Sequence, residues 1–305
     1  MIIGLVALVL GIGVLPTAVP KAGATVAGAT TNAADGPYQP NRSDRPGRPG
    51  GLDRPAGSVA GAFWGPKVRT FHGRAFDVCR APSQNTMRRW RSSDYRGVGV
   101  YFGGRGRACR SQRVLNPSWM RAVDGMGWRV LPVYVGSQSP CVGSRHKKKV
   151  RIGRYPWQQG VQEGRDAVRR AGALNIQRSS PLYLDMEAYN YRKRKCANTT
   201  LAFVRAWNRE VRRHGYVPGF YSSADSGVRH MEAARRAGVR DLPSVMWFAR
   251  WHTKAHLYRE PALWKYAWHP QRRIHQYAGN VKERHGGRTM VIDRNLVHAP
   301  VARIG

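Results

Sequence analysis

Acidic residues are scarce in this chain. Only 17 Asp and Glu stand against 52 Lys and Arg in 305 residues, a formal net charge of +35. An imbalance of that size bears on partners and solubility rather than fold, and nucleic acid, anionic membrane and anionic cell-wall polymers would all attract it. Other absences exclude more. The four cysteines, Cys79, Cys109, Cys141 and Cys196, contain no CxxC pair, and the ten histidines show no HExxH spacing, so no metal site is implied. His252 and His256 lie four apart without an accompanying Glu; only His275, beside Gln276 and Tyr277, is a candidate for function. The Gly103-Gly104-Arg105-Gly106 turn lacks the GxGxxG spacing and its downstream acid, which removes the case for a dinucleotide; no cofactor is expected. No internal repeat is visible. The basic residues are spread along the chain and no aromatic readout motif accompanies them, so no specific nucleic-acid partner is expected.

A comfortable membrane span is also lacking. Met1 to Leu15 is apolar but short, and it leads into Ala22-Gly23-Ala24 and Ala27-Gly28-Ala29, which look like signal-peptidase sites. The basic stretch that ordinarily precedes such a segment is missing, so residues 1–29 read as an export signal or an uncleaved N-terminal anchor, the only membrane contact expected. Residues 30–60, rich in Gly, Pro, Ala, Asn, Asp and Arg, read as a disordered linker, and 61–305 as the folded domain. Four widely spaced cysteines in an exported chain point to two disulfides and an extracellular or wall-associated protein. The domain is expected to be a monomer.

Within the domain, strand-like runs at 74–79, 97–102, 128–135, 181–187, 217–221, 244–249, 272–277 and 289–293 alternate with helix-like runs at 82–90, 117–126, 155–173, 198–214 and 226–237. Gly215 stands where a helix-stop residue is expected. Residues 278–288 are too short and too glycine-rich for a full helix, so the last two strands are expected to pair as a hairpin. The pattern is an α/β fold, a (β/α)8 TIM-type barrel with an irregular, partly helix-less final third.

The few acids then become informative. Four lie inside or at the end of hydrophobic runs: Asp77, Asp185, Glu187 and Asp293. On a strand, Asp185 and Glu187 share one face, with Tyr183 and Tyr189 beside them and Leu184 and Met186 opposite. Two carboxylates on one face of a buried strand are costly unless paired or used. Barrel enzymes work at the C-terminal ends of their strands, where Tyr134, Tyr221, Arg250, Gln276 and Tyr277 also fall. Asp77 and Asp293 have a structural alternative, pairing with Arg250 or Arg294. The chemistry that fits is glycoside hydrolysis, which needs one carboxyl to protonate the leaving oxygen and a carboxylate or substrate amide to stabilise the developing cation. Residues two apart on a strand have Cα atoms about 6.5–7 Å apart, compatible with a retaining or an inverting separation. The charge of Asp185 would raise the Glu187 pKa and make Glu187 the acid. Trp247 and Trp251 are candidate sugar-stacking faces.

The runs Phe76-Asp77-Val78-Cys79-Arg80-Ala81-Pro82-Ser83, Gly99-Val100-Tyr101-Phe102-Gly103-Gly104, Pro132-Val133-Tyr134-Val135-Gly136-Ser137-Gln138, Tyr183-Leu184-Asp185-Met186-Glu187-Ala188-Tyr189, Gly219-Phe220-Tyr221-Ser222-Ser223, Trp247-Phe248-Ala249-Arg250-Trp251 and His275-Gln276-Tyr277 with Ile292-Asp293-Arg294-Asn295 resemble the actinobacterial glycoside-hydrolase-like domain of unknown function 1906. The likeness spans about residues 72 to 299 and implies an exported barrel. More distantly, the same acids, Gln276-Tyr277 and Asp293-Arg294-Asn295 resemble family 25 muramidases. That likeness implies Glu187 as general acid, with Asp185 and Asp77 positioning substrate or stabilising charge. Tyr134, Gln138, Tyr189, Tyr221, Arg250, Trp251, Gln276, Tyr277 and Asp293 are the expected substrate-binding residues. The cysteines and the Arg145-His146-Lys147-Lys148-Lys149 run are not muramidase features. Cys79 and Cys109 follow adjacent strands, as do Cys141 and Cys196, and this favours those two pairings.

The expected function is therefore an exported glycoside hydrolase acting on cell-wall polysaccharide, peptidoglycan or a related anionic glycan. A non-catalytic wall-binding domain on the same barrel is the alternative.

Overall fold

The computed structural model describes residues 68–305; the expected export segment and linker lie outside the described residues. Eight strands form one closed barrel in sequence order: β1 (Thr70–Asp77), β2 (Tyr95–Gly103), β3 (Arg129–Tyr134), β4 (Pro181–Asp185), β5 (Val217–Ser223), β6 (Val245–Ala249), β7 (Arg273–His285) and β8 (Arg288–Pro300). Five α-helices, α1 (Gln84–Arg89), α2 (Pro117–Gly125), α3 (Pro156–Ala173), α4 (Arg194–Arg213) and α5 (Arg229–Arg236), lie in the crossovers between β1 and β6. The fold class matches the sequence expectation.

Capping chemistry explains where several helices begin and end. Ser83 accepts the Thr86 backbone N–H ahead of α1, and Asn116 accepts that of Trp119 ahead of α2, with Pro117 in the first turn. After α4 the chain passes through Gly215 at φ +80°, a conformation glycine adopts without strain.

Alternation along each strand divides the core in two. Ala75, Leu131, Val133, Tyr183, Val245, Trp247, Ile274 and Val297 fill the barrel interior, while Phe76, Val98, Val130, Leu184, Phe220 and Phe248 face the surrounding layer. Glycines make room for the large interior rings: a methyl at Gly219 would collide with Tyr183, and one at Gly99 with Asp77.

The final third departs from a regular (β/α)8 barrel. Strand β8 runs antiparallel to both β7 and β1. The expected hairpin is present, but residues 278–285 belong to β7, and the connection is only Gly286-Gly287, both at positive φ. Two such glycines match the right-handed twist of the flanking strands. Because β8 is reversed, Asp293 reaches the mouth from the middle of its strand, in register with Asp77. Among the described residues no helix is long and apolar enough to cross a membrane.

Disulfides join Cys79 to Cys109 and Cys141 to Cys196, across 30 and 55 residues. Loops of these lengths imply about 3–4 kcal/mol of stabilisation each. Peptide mapping without reductant should recover these two pairs, and reduction should lower the unfolding free energy by that order. Recovery of Cys79 linked to Cys141 or Cys196 would contradict the connectivity.

Candidate active site

Asp77, Asp185, Glu187 and Asp293 line a single cavity of about 360 Å³ at the C-terminal end of the parallel strands. Strand parity aims Asp77 inward with Ala75, and Asp185 inward with Tyr183. Asp77 is held from three sides. Tyr101 donates to its Oδ1 at 2.7 Å, and Asn295 and Gln276 donate to its Oδ2 at 2.8 and 3.0 Å. The two amides are themselves oriented. Trp247 Nε1 donates to Asn295 Oδ1 at 2.9 Å, and Gln276 Oε1 accepts from both Tyr221 Oη and Trp251 Nε1 at 2.9 Å. Each amide oxygen thus faces a donor, and each NH2 faces the carboxylate. Asp293 accepts the Asn280 backbone N–H at 2.7 Å and a longer contact from Gln276 at 3.4 Å.

Asp185 is treated differently. It is buried, and its Oδ1 has no hydrogen-bond partner. Burial, then the neighbouring charge of Glu187, push its pKa up to about 8, and the Lys147 ammonium offsets part of that rise. Burial, with the Asp77 charge second, raises Asp293 to about 7. Burial also raises Asp77, against the lowering effect of its three donors.

Glu187 stands at the open edge, its side chain 38% exposed, and pairs with Lys147 Nζ at 3.1 Å. Lys147 comes from the Lys-rich run, is itself nearly buried, and also donates to the Gly106 carbonyl at 3.1 Å. Asp185 lies deeper, and there the Glu187 charge adds to the effect of burial. Gln138 fixes the backbone between the two acids. Its Nε2 donates to the Asp185 carbonyl at 2.9 Å, and its Oε1 accepts the Glu187 N–H at 2.8 Å. Gln138 is therefore a buried positioning residue here and does not line the cavity.

Four expected substrate-binding residues point elsewhere. Tyr134 has outward parity on β3, packs on Phe102 and Trp207, and donates to Asp166 at 2.9 Å. Tyr277 also faces outward, beside a separate hollow with Glu283 and Arg294. Strand β4 ends at Asp185, so alternation no longer governs Tyr189. It forms a bridge with Val142 and contacts His230 in the outer layer. Arg250 forms ion pairs with Asp225 and Glu260. With Arg294 paired to Glu283, neither arginine neutralises Asp77 or Asp293. His275 is buried against Phe248 with both ring nitrogens bonded to backbone groups, a structural arrangement. Trp247 is only 1% exposed and serves as a donor inside the barrel, so it offers no sugar-stacking face; Trp251 is 39% exposed.

Sequence reasoning missed Tyr101, Asn295, Lys147 and Arg107 as site residues. Parity was a usable signal for the first two: Tyr101 follows Gly97 and Gly99, and Asn295 follows Asp293, at intervals of two. Lys147 and Arg107 arrive on loops, where no periodicity applies. Among the described residues no group of three or more His, Cys, Asp or Glu is placed to hold a metal ion.

Residues 88–297 match the family profile of the Rv2525c-like, glycoside hydrolase-like domain, and the chain belongs to that family. Among solved structures it is similar to the Tat-secreted protein Rv2525c of Mycobacterium tuberculosis in complex with L-tartrate, with a TM-score of 0.52 and 19% identity over 74% of this chain and 96% of that one. The modular autolysin LytC of Streptococcus pneumoniae gives a TM-score of 0.47 and 14% identity over 76% of this chain and 46% of that one. A muramidase from Acremonium alcalophilum gives 0.43 and 13% over 73% and 92%. No curated protein sequence gives a significant match.

The raised carboxyls have a stability consequence. Asp293 has a folded pKa of about 7, against about 3.9 in an unfolded chain. Its stabilising contribution is present below about 3.9 and is lost as pH rises through 7. Asp293→Asn should therefore be more stable than the parent at pH 9, by on the order of 1–2 kcal/mol after solvent screening. The gain should shrink towards zero near pH 4. Thermal unfolding at both pH values checks this, and an equal change at both would contradict it.

Proposed function

We propose that the domain hydrolyses a glycosidic bond in a cell-wall glycan, peptidoglycan or a related polysaccharide, outside the cell. The observation that carries the reading is the buried Asp185, raised to about 8, beside Glu187 at the open edge of one carboxylate-lined cavity. Below that pH the Asp185–Glu187 pair retains a proton. Glu187 is the more exposed member and presents this proton to the leaving oxygen, while deeper carboxylates face the positive charge developing on the sugar. Water then adds to the sugar and its proton returns to the pair. Gln138 keeps both acids on one backbone geometry, and the Tyr101, Asn295 and Gln276 donors keep Asp77 fixed as charge changes. Preorganised groups of this kind need little rearrangement during the reaction. The glycoside hydrolase-like family is in keeping with this chemistry. Two disulfides support an oxidising compartment.

One observation favours a second reading. The Lys147 ammonium occupies Glu187, as it would in a wall-binding domain that keeps the pocket without turnover.

The full chain and Glu187→Gln should be compared on purified bacterial cell walls, reading released reducing ends. Wild-type release, reduced on the order of 100-fold or more in the variant, is expected. No release from either, with salt-sensitive wall binding retained, would replace hydrolysis by the binding reading. The pH profile gives an independent check. kcat/KM should fall as pH rises through about 8, where Asp185 gives up its proton. Lys147 lowers the Asp185 pKa, so Lys147→Met should move that limb to higher pH. A limb that stayed in place would remove Asp185 from the proton-holding role.

A further inference from the structure

The catalytic cavity opens onto a strongly basic surface. Arg107 borders both the cavity and a neighbouring hollow of about 450 Å³, which is also lined by Arg105, Arg110 and Arg170. Arg105 in turn borders a third hollow, of about 560 Å³, with Arg151 and Arg154. The shared arginines set the three spaces side by side, a path along the loops after β2 and β3 and one face of α3.

Outside the carboxylate cavity, in the two outer hollows, the charge along this path is not balanced. The two acids there are already engaged: Glu163 accepts the Ser137 hydroxyl and backbone N–H, and Asp166 accepts Tyr134, Arg169 and Arg170. Among the described residues Arg105, Arg110, Arg151 and Arg154 form no ion pair, and all four are exposed. Arg107 is held in place at the junction. Its Nε donates to the Gly104 carbonyl and its Nη1 to the Tyr101 carbonyl, each at 3.2 Å. Burial, with the Arg170 charge second, lowers its pKa, and Asp166 offsets part of that.

We propose that this arginine-lined path is an extended subsite for the acidic groups of an anionic glycan chain whose sugar backbone enters the carboxylate cavity. The inference rests on the hydrolase or sugar-binding reading of that cavity and names its substrate class, a saccharide polymer bearing carboxylates or phosphodiesters. Guanidinium groups suit both by planar, paired hydrogen bonding. The path ends in Asp77, Asp185, Glu187 and Asp293, acceptors for sugar hydroxyls, which places the acidic groups of the polymer on the arginines and not in the cavity; oligodeoxythymidine tests a nucleic acid as the occupant.

Binding by the full chain to polygalacturonate, poly(glycerol phosphate), neutral dextran and oligodeoxythymidine should be measured against NaCl concentration. Two variants that remove the same charge should be compared: Arg105→Ala/Arg110→Ala/Arg154→Ala in the path, and Arg88→Ala/Arg121→Ala/Arg209→Ala on exposed faces of α1, α2 and α4. The path variant should lose on the order of tenfold in affinity for an anionic glycan and about two units of the log–log salt slope, with little loss in the control. Preference between polygalacturonate and poly(glycerol phosphate) identifies the acidic group. Equal losses in both variants, dextran binding as tight as either anionic polymer, or tighter oligodeoxythymidine binding through the same three arginines would overturn the proposal. Glu187 is untouched and the readout is binding, so a failure to release reducing ends from walls leaves this test standing, and its own failure leaves hydrolysis untouched.

Discussion

Removing carboxylates from water while holding them together is the constraint on which this structure depends. Asp77, Asp185 and Asp293 all have raised pKa values, and burial is the leading cause for each. A chain with 52 basic residues could have neutralised them with arginine. Instead Asp77 receives neutral donors, Asp185 leaves one oxygen unbonded, and the nearby Arg250 and Arg294 are committed to other acids. Neutral donors stabilise a carboxylate's position without cancelling its charge. The site therefore keeps both a proton and negative charge available near neutral pH, the combination that glycosidic cleavage uses.

The surrounding fold serves that arrangement. Reversing β8 brings Asp293 level with Asp77 and lets Asn295 reach the same carboxylate. Glycines on β2 and β5 clear space for Asp77 and Tyr183. The Cys141–Cys196 bridge ties the loop that carries Lys147 to the start of α4, close to the chain that carries Glu187. Among the described residues Lys147 is the cation in direct contact with the acid pair, and Arg107 lines the same cavity from the neighbouring loop after β2.

Much of the fold was legible because hydrophobic alternation is periodic. Asp77, Asp185, Glu187 and Asp293 stood out because acids are rare and these interrupt apolar runs. Gln276 and Tyr221 could be placed as polar residues on inward strand positions. The misplacements follow from position without parity. Tyr134 ends its strand on the outward face, Tyr277 is on the outward face of a strand that runs on to His285, and Tyr189 lies beyond the end of its strand. The direction of β8 followed from the short, glycine-rich stretch that implied a hairpin, but the extension of β7 and β8 up to a two-glycine turn was not legible. Nor was the division of labour between Asp185 and Glu187, which depends on depth within the cavity rather than on spacing.

The most direct test of the account is the titration of the aspartates themselves. Carbon-13 carboxyl labelling of Asp, followed by NMR from pH 4 to pH 10, should show one resonance with a midpoint near 8 that disappears in Asp185→Asn. A second, near 7, should disappear in Asp293→Asn. If every aspartate titrated below about 5, in the ordinary carboxylate range, Asp185 would hold no proton at neutral pH and the account would lose its proton store.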